Sequence, residues 1–254
     1  MLILRKFKGI FIWLPLVLIM LPGHAALYGD QKLPDNIVDT ALTWINQARA
    51  REGLEILTID PRLNRIAETH SENMAGHNML SDSNPTLGTP FDRIKSSGLT
   101  DTNNLVAVAR ANTRELLLQQ LESPENLSKI LSPEMTHAGI GIKQDSTGEL
   151  WLTVHMIERA ITFTQYKLSQ SNTEPVIRSI TIKGNTPFKK IEVALVPPDG
   201  INPGLSVDRI IDPDAKGNFE IALNFGSTTG TFEFEFYVQK NGEYKLMNFF
   251  SMDI

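Results

Sequence analysis

Ile45–Leu99, INQARAREGLEILTIDPRLNRIAETHSENMAGHNMLSDSNPTLGTPFDRIKSSGL, carries the most explicit folding signals in this 254-residue chain. Asp60-Pro61 places an N-cap acceptor before a proline at the first helical position, where the missing N–H costs nothing. Leu63, Ile66, Ala67 and Met74 follow at helical spacing, so the segment predicts a helix running to about Met79. Upstream, Ile37, Ala41, Trp44, Ile45 and Ala48 form one apolar stripe, with Asp35 as the expected cap and Gly53 as the stop. Downstream, Asn84-Pro85 through Gly88 reads as loop, and Pro90–Ser97 as a short helix ended by Gly98.

Farther out the period changes. Thr113–Leu121 predicts one more helix, and Ala138–Ile142 and Leu150–Ile157 predict strands around the turn Asp145-Ser146-Thr147-Gly148. Residues 162–175 turn polar towards their end and read as a linker. Beyond them alternation of period two takes over: Ile177, Ile180 and Ile182; Ile191, Val193 and Leu195; Phe219, Ile221, Leu223 and Phe225; Phe232, Phe234 and Phe236; Tyr244 and Leu246. Short strands at this spacing predict a small antiparallel sandwich, residues 176–254.

The first 25 residues read as an export signal. Arg5, Lys6 and Lys8 precede the apolar run Ile10–Leu21, which is short of the roughly 20 residues a membrane span needs. Gly23-His24-Ala25 predicts cleavage near Ala25 and a secreted or periplasmic product with no stable transmembrane anchor. The composition narrows function further. With 24 basic against 29 acidic residues, net −5, no global basic field exists to hold nucleic acid. The absence of cysteine excludes disulfides, thiolate metal sites and cysteine nucleophiles.

The quoted stretch resembles the opening of a CAP domain (cysteine-rich secretory protein, antigen 5, pathogenesis-related 1; also called SCP), in its cysteine-free bacterial branch. Arg49, Gly53-Leu54, His70-Ser71, Met74-Ala75, Thr89-Pro90-Phe91 and Arg93-Ile94 carry the resemblance, with Ser123-Pro124 and Gly139-Ile140-Gly141 in the expected order. It implies an α+β fold for residues 33–161: a CAP-type α-β-α sandwich, followed here by the small all-β module, which resembles bacterial Ig-like domains.

The resemblance also implies a cleft lined by His and Glu that often holds a divalent metal. Here the family's Ser-His is Ser81-Asp82, its Gly-Glu-Asn has Asn103 in the glutamate position, and its His-Arg is Asn126-Leu127. The strand that leads with His in eukaryotic members leads with Trp151. Amide oxygens are weak ligands and asparagine has no titrating group for general-base work. The expected ligand-binding cleft is therefore Asp82, Asn103, Asn126, Trp151 and His155, with no catalytic residue and no cofactor. His155 shares a strand face with residues 151 and 153, and two readings stand for it: a shifted cleft imidazole or a core histidine. His77, Asp82 and His155 are weak candidates for a divalent metal.

Three functions follow from these residues. The leading one is a non-enzymatic extracytoplasmic binding protein for a small molecule, lipid or envelope glycan. The alternatives are a metal-assisted hydrolase built on the shifted His/Asp set, and an adhesin whose sandwich carries the binding.

Overall fold

The computed structural model describes residues 36–198 and 209–254. The expected export signal, its cleavage near Ala25 and the domain start at residue 33 lie outside the described residues. Pro34–Ile254 clusters as one compact unit.

The first helix, α1 (Ile37–Arg51), is capped by Asn36, whose side chain accepts from the Val38 N–H. The cap is thus one residue beyond the expected Asp35 and uses the same chemistry. A two-residue strand β1 (Thr58–Ile59) precedes α2 (Pro61–His77), whose N-cap is Asp60 as the sequence predicts. The next helix, α3 (Pro90–Ser96), opens with a reciprocal capping box between Thr89 and Asp92. Then come β2 (Asn104–Ala111), α4 (Arg114–Leu121) and α5 (Pro124–Ile130). The hairpin β3 (His137–Gln144) and β4 (Leu150–Ile157) completes the first half.

These elements form three layers. The sheet has the order β1-β3-β4-β2, with β1 parallel to β3 and the other pairs antiparallel. Leu152, Val154 and Met156 on β4 join Trp44, Ile45, Leu117, Leu121 and Ile130 in one apolar core on the α1/α4/α5 side. The odd-numbered residues of β4 face α2, where the Ser71 hydroxyl donates to the Gly141 carbonyl at 3.0 Å and accepts from the Thr153 hydroxyl at 2.8 Å. Helix α2 lies directly on β3: a Cβ at Gly139 would sit 2.0 Å from the Leu63 backbone, and one at Gly141 2.0 Å from the Glu68 nitrogen. The Gly-Ile-Gly pattern therefore sets how closely helix and sheet approach.

Arg49 is the main polar brace. It is fully buried, and its guanidinium donates to the carbonyls of Glu55, Ile130, Ser132 and Met135 at 2.7–3.0 Å. One side chain thus fixes the irregular segment between α5 and β3 to the end of α1.

The second half is a two-sheet β-sandwich. One sheet has the order β5-β6-β9, from β5 (Thr162–Gln170), β6 (Arg178–Asn185) and β9 (Asn218–Gly226). The other is β11-β10-β7-β8, from β7 (Ile191–Val196), β8 (Arg209–Ile211), β10 (Thr231–Lys240) and β11 (Glu243–Asp253). Residues 162–170, expected as linker, are a full strand paired with β6. The misreading has a physical cause: β5 is an edge strand exposed along almost its whole length, so it lacks buried alternation. The core between the sheets is aromatic, with Phe234 stacked on Phe250 at 5.0 Å and Phe163 edge-on to Phe236 at 4.8 Å.

The two halves are joined by backbone pairing. Thr102 N–H donates to Met247 O at 2.9 Å, Phe249 N–H to Thr100 O at 2.8 Å, and the Thr102 hydroxyl to Leu246 O at 2.7 Å. The segment before β2 thereby covers part of the free edge of β11.

Candidate functional site

The five expected cleft residues fall into different environments. Asn126, on α5, is buried: its amide donates to the carbonyls of Val108 and Gln120 at 2.9 and 3.0 Å, and its oxygen accepts from the Val108 N–H at 3.2 Å. This corrects the expectation of a ligand contact, because every strong group on the side chain already braces α5 against β2. Trp151 is also corrected. It is fully buried, its indole N–H donates to Asp145 Oδ2 at 2.9 Å, and the Arg110 guanidinium sits 4.3 Å from its ring centre.

His155 is a core histidine on the α2 side of β4. Neither ring nitrogen has a hydrogen-bond partner. Burial, with Arg93 and His70 nearby, pushes it down to about 3, so it is neutral at ordinary pH. His70 holds Nε2 2.8 Å from the Ser81 carbonyl and is pushed down to about 4, first by burial and then by Arg93. His77 is separate from both, exposed at the end of α2 with Nδ1 2.9 Å from the Asn73 carbonyl. Asp82 is half-exposed, with its carboxylate 3.6 Å from Lys129 Nζ. His77, Asp82 and His155 thus share no site. Among the described residues no three His, Asp or Glu side chains come together to hold an ion. These residues do not fit a divalent metal, since the buried imidazole has no carboxylate beside it.

Asn103 does line a recess, of about 350 Å³. Its amide donates to Glu158 Oε2 at 2.7 Å and Glu134 Oε2 at 3.1 Å. Lys240, at the end of β10, places its ammonium 2.7 Å from Glu158 and 2.9 Å from Glu134. Hydrogen bonding to Lys240 holds the Glu134 carboxyl below its ordinary value. At the family's glutamate position stands an amide tied into an ion-pair cluster closed by the second domain.

Sequence reasoning missed the groove between α2 and α3, a recess of about 430 Å³ lined by Arg62, Arg65, Thr69, Arg93 and Ser96 over an Ile66 floor. Arg62, Arg65 and Thr69 lie at i, i+3 and i+7 on α2, so they share one face, and that spacing was the available signal. Arg65 is exposed and has no ion-pair partner among the described residues. Arg93 is mostly buried and donates to the carbonyls of Gly88 and Asp82 at 3.2 and 2.7 Å, while its Nε stays unpartnered. Desolvation lowers it to about 10, which leaves it charged at neutral pH. A chain of net −5 gathers three guanidinium groups along one groove.

Helices thus cover both faces of a short sheet, the α-β-α layering that the resemblance to the CAP class implies. Residues 42–156 match the cysteine-rich secretory protein (CAP) family, and over them the chain is similar to bacterial members of the CAP/SCP superfamily. The chain is similar to protein YkwD of Bacillus subtilis, 31% identical over 108 residues, which is 42% of this chain and 41% of YkwD. Among solved structures it is similar to an extracellular SCP-domain protein of Bacillus anthracis (25% identity, 48% of this chain and 39% of that one, TM-score 0.41). It is also similar to an outer surface protein of Borrelia burgdorferi (15% identity, 48% of this chain and 92% of that one, TM-score 0.45). The chain spans about two fifths of the length of the two Bacillus proteins. No helix among the described residues is long and apolar enough to cross a membrane.

Proposed function

We propose that this is an extracytoplasmic, non-enzymatic binding protein whose α2/α3 groove takes an anionic ligand, such as a uronate- or phosphate-bearing envelope glycan. One observation carries the reading: the groove collects Arg62, Arg65 and Arg93 beside Thr69 and Ser96, while the residues at the family's cleft positions serve as braces. Guanidinium groups suit carboxylate and phosphate because their forked donors match two anionic oxygens. Hydroxyls flanking an apolar floor suit a sugar ring. The basic start and short apolar run of residues 1–21 support export.

The test is calorimetric titration with glucuronate and glycerol phosphate, and with glucose as the neutral control. The expected result is binding of the anions alone, weakened by salt and lost in Arg65→Glu, an exposed change that leaves the fold intact. Equal binding of glucose, or unchanged binding in the variant, overturns the groove assignment. A hydrolytic turnover that disappears in Asn103→Ala overturns the non-enzymatic reading.

A further inference from the structure

A third cavity, of about 170 Å³, opens where the two domains meet. Its walls come from both sides: Arg62, Asp101 and Arg159 from the CAP half, Phe163 and Tyr166 from β5. Neither half alone contains it. Asp101 is 98% buried, and its Oδ1 has no hydrogen-bond partner. Its Oδ2 lies 3.7 Å from Arg159 Nη2, too far for a strong charged hydrogen bond. Arg159 is engaged elsewhere, 2.7 Å from Asp60 Oδ2, and Arg62 pairs with the same carboxylate at 3.0 Å.

The buried carboxylate is thus short of a donor, while two guanidinium groups share a single Asp60 partner. Desolvation pushes Asp101 up to about 6, against the pull of Arg159 and Arg62. An unpaired buried charge is costly, and chains keep one where something else satisfies it. The four charged groups sum to zero, so an occupant of either net sign would unbalance them.

We propose that this interdomain cavity binds a small zwitterionic α-amino acid, its ammonium towards the Asp101 carboxylate and its carboxylate towards Arg62 and Arg159. The complement is complete at both ends, and the pair of aromatic rings gives the ammonium a second favourable surface. Size selects the ligand. At roughly 30 Å³ per water, the cavity holds about five or six non-hydrogen atoms, the size of glycine or alanine. Arg62 stands on the rims of both this cavity and the α2/α3 groove, but the two sites share no other residue that carries their selectivity.

The test is calorimetry on the intact protein with alanine, propionate (alanine without its ammonium), ethylamine (alanine without its carboxylate) and glycerol. Alanine is expected to bind at one site per chain, with propionate, ethylamine and glycerol at least about 30-fold weaker. Asp101→Asn keeps the shape and removes the charge, and is expected to weaken alanine by at least about 30-fold. Tyr166→Ala, at the exposed mouth, is expected to weaken it several-fold and remains informative if the Asp101 variant fails to fold. Alanine affinity in Arg65→Glu is expected to stay unchanged, which separates this site from the anion groove. No binding of glycine or alanine at about 10 mM, or equal binding by propionate, ethylamine, glycerol or the Asp101→Asn protein, overturns the proposal.

Discussion

The CAP half and the sandwich half solve the same packing problem with different materials. Among the described residues, every buried charged or titratable side chain lies at or before Glu158: Arg49, Asp60, His70, Arg93, Asp101, His155 and Glu158. The sandwich buries aromatic rings and aliphatic side chains instead, with Thr186 and Asn248 as its buried polar residues. The difference follows from the backbone. A β-sandwich satisfies its N–H and C=O groups through ladders, so its interior can be apolar. The CAP layer contains long irregular connections, and side chains such as Arg49 and Asn126 must supply the partners that no ladder provides.

Four measurements sharpen or break that contrast. The largest effect is expected from Arg49→Ala, which strips donors from four carbonyls and opens a void. A loss of about 4–5 kcal/mol in urea denaturation is expected, and a loss below about 1 kcal/mol would show that the clamp is dispensable. Phe234→Ala is expected to cost about 3–5 kcal/mol through cavity formation alone. Trp44 and Trp151 lie in the CAP half, Trp13 in the expected export signal and none in residues 162–254, so the indole fluorescence of residues 26–254 reports the CAP half. If the Phe234 variant shifts the indole transition as well, the halves unfold as one unit.

Acid provides the third test. His70 and His155 titrate at about 4 and 3 in the fold, below the ordinary histidine value near 6.5. Folding therefore favours their neutral forms: their contribution is present above about pH 6.5 and is lost as pH falls towards 4 and then 3. Asp101, raised to about 6, works in the opposite direction and contributes more as pH falls from 6 towards 4. Two histidines outweigh one carboxylate, so the urea midpoint followed by indole fluorescence is expected to drop between pH 7 and pH 4.5. His155→Leu is expected to flatten that drop, by up to about 3 kcal/mol. An unchanged slope would mean that the buried imidazoles do not govern acid stability. The smallest effect belongs to Lys240→Ala, which removes the ammonium shared by half-exposed Glu134 and buried Glu158 and leaves Glu158 with the Asn103 amide. It is expected to cost about 2 kcal/mol and to raise the apparent titration of Glu134.

How much of this was legible depended on where the partners of each residue lie. Asp60-Pro61, Thr89 and the alternating phenylalanines signal locally, and the α+β architecture with its two halves could be read from them. Strand β2, NLVAVARA, carries alanine at three buried positions and gives weak strand propensity, so it was read only as a motif. Asn103, Asn126 and Trp151 were visible as departures from a family pattern, but their roles depend on partners between 6 and 55 residues away. No local rule tells whether an asparagine lines a cleft or braces a helix. The junction cavity was out of reach for the same reason, because its walls span Arg62 to Tyr166 and the segment bearing two of them was taken for a linker.

The bonds between Thr100–Thr102 and Leu246–Phe249 also have a mechanical meaning. Through them β11 is both an edge of the sandwich and a splint along the CAP half. Tension applied at Ile254 passes along β11 and reaches the CAP half at Thr100–Thr102, bypassing the single covalent crossing at residues 158–162. The load is then shared among parallel hydrogen bonds, which must fail together, and the two domains resist pulling as one body.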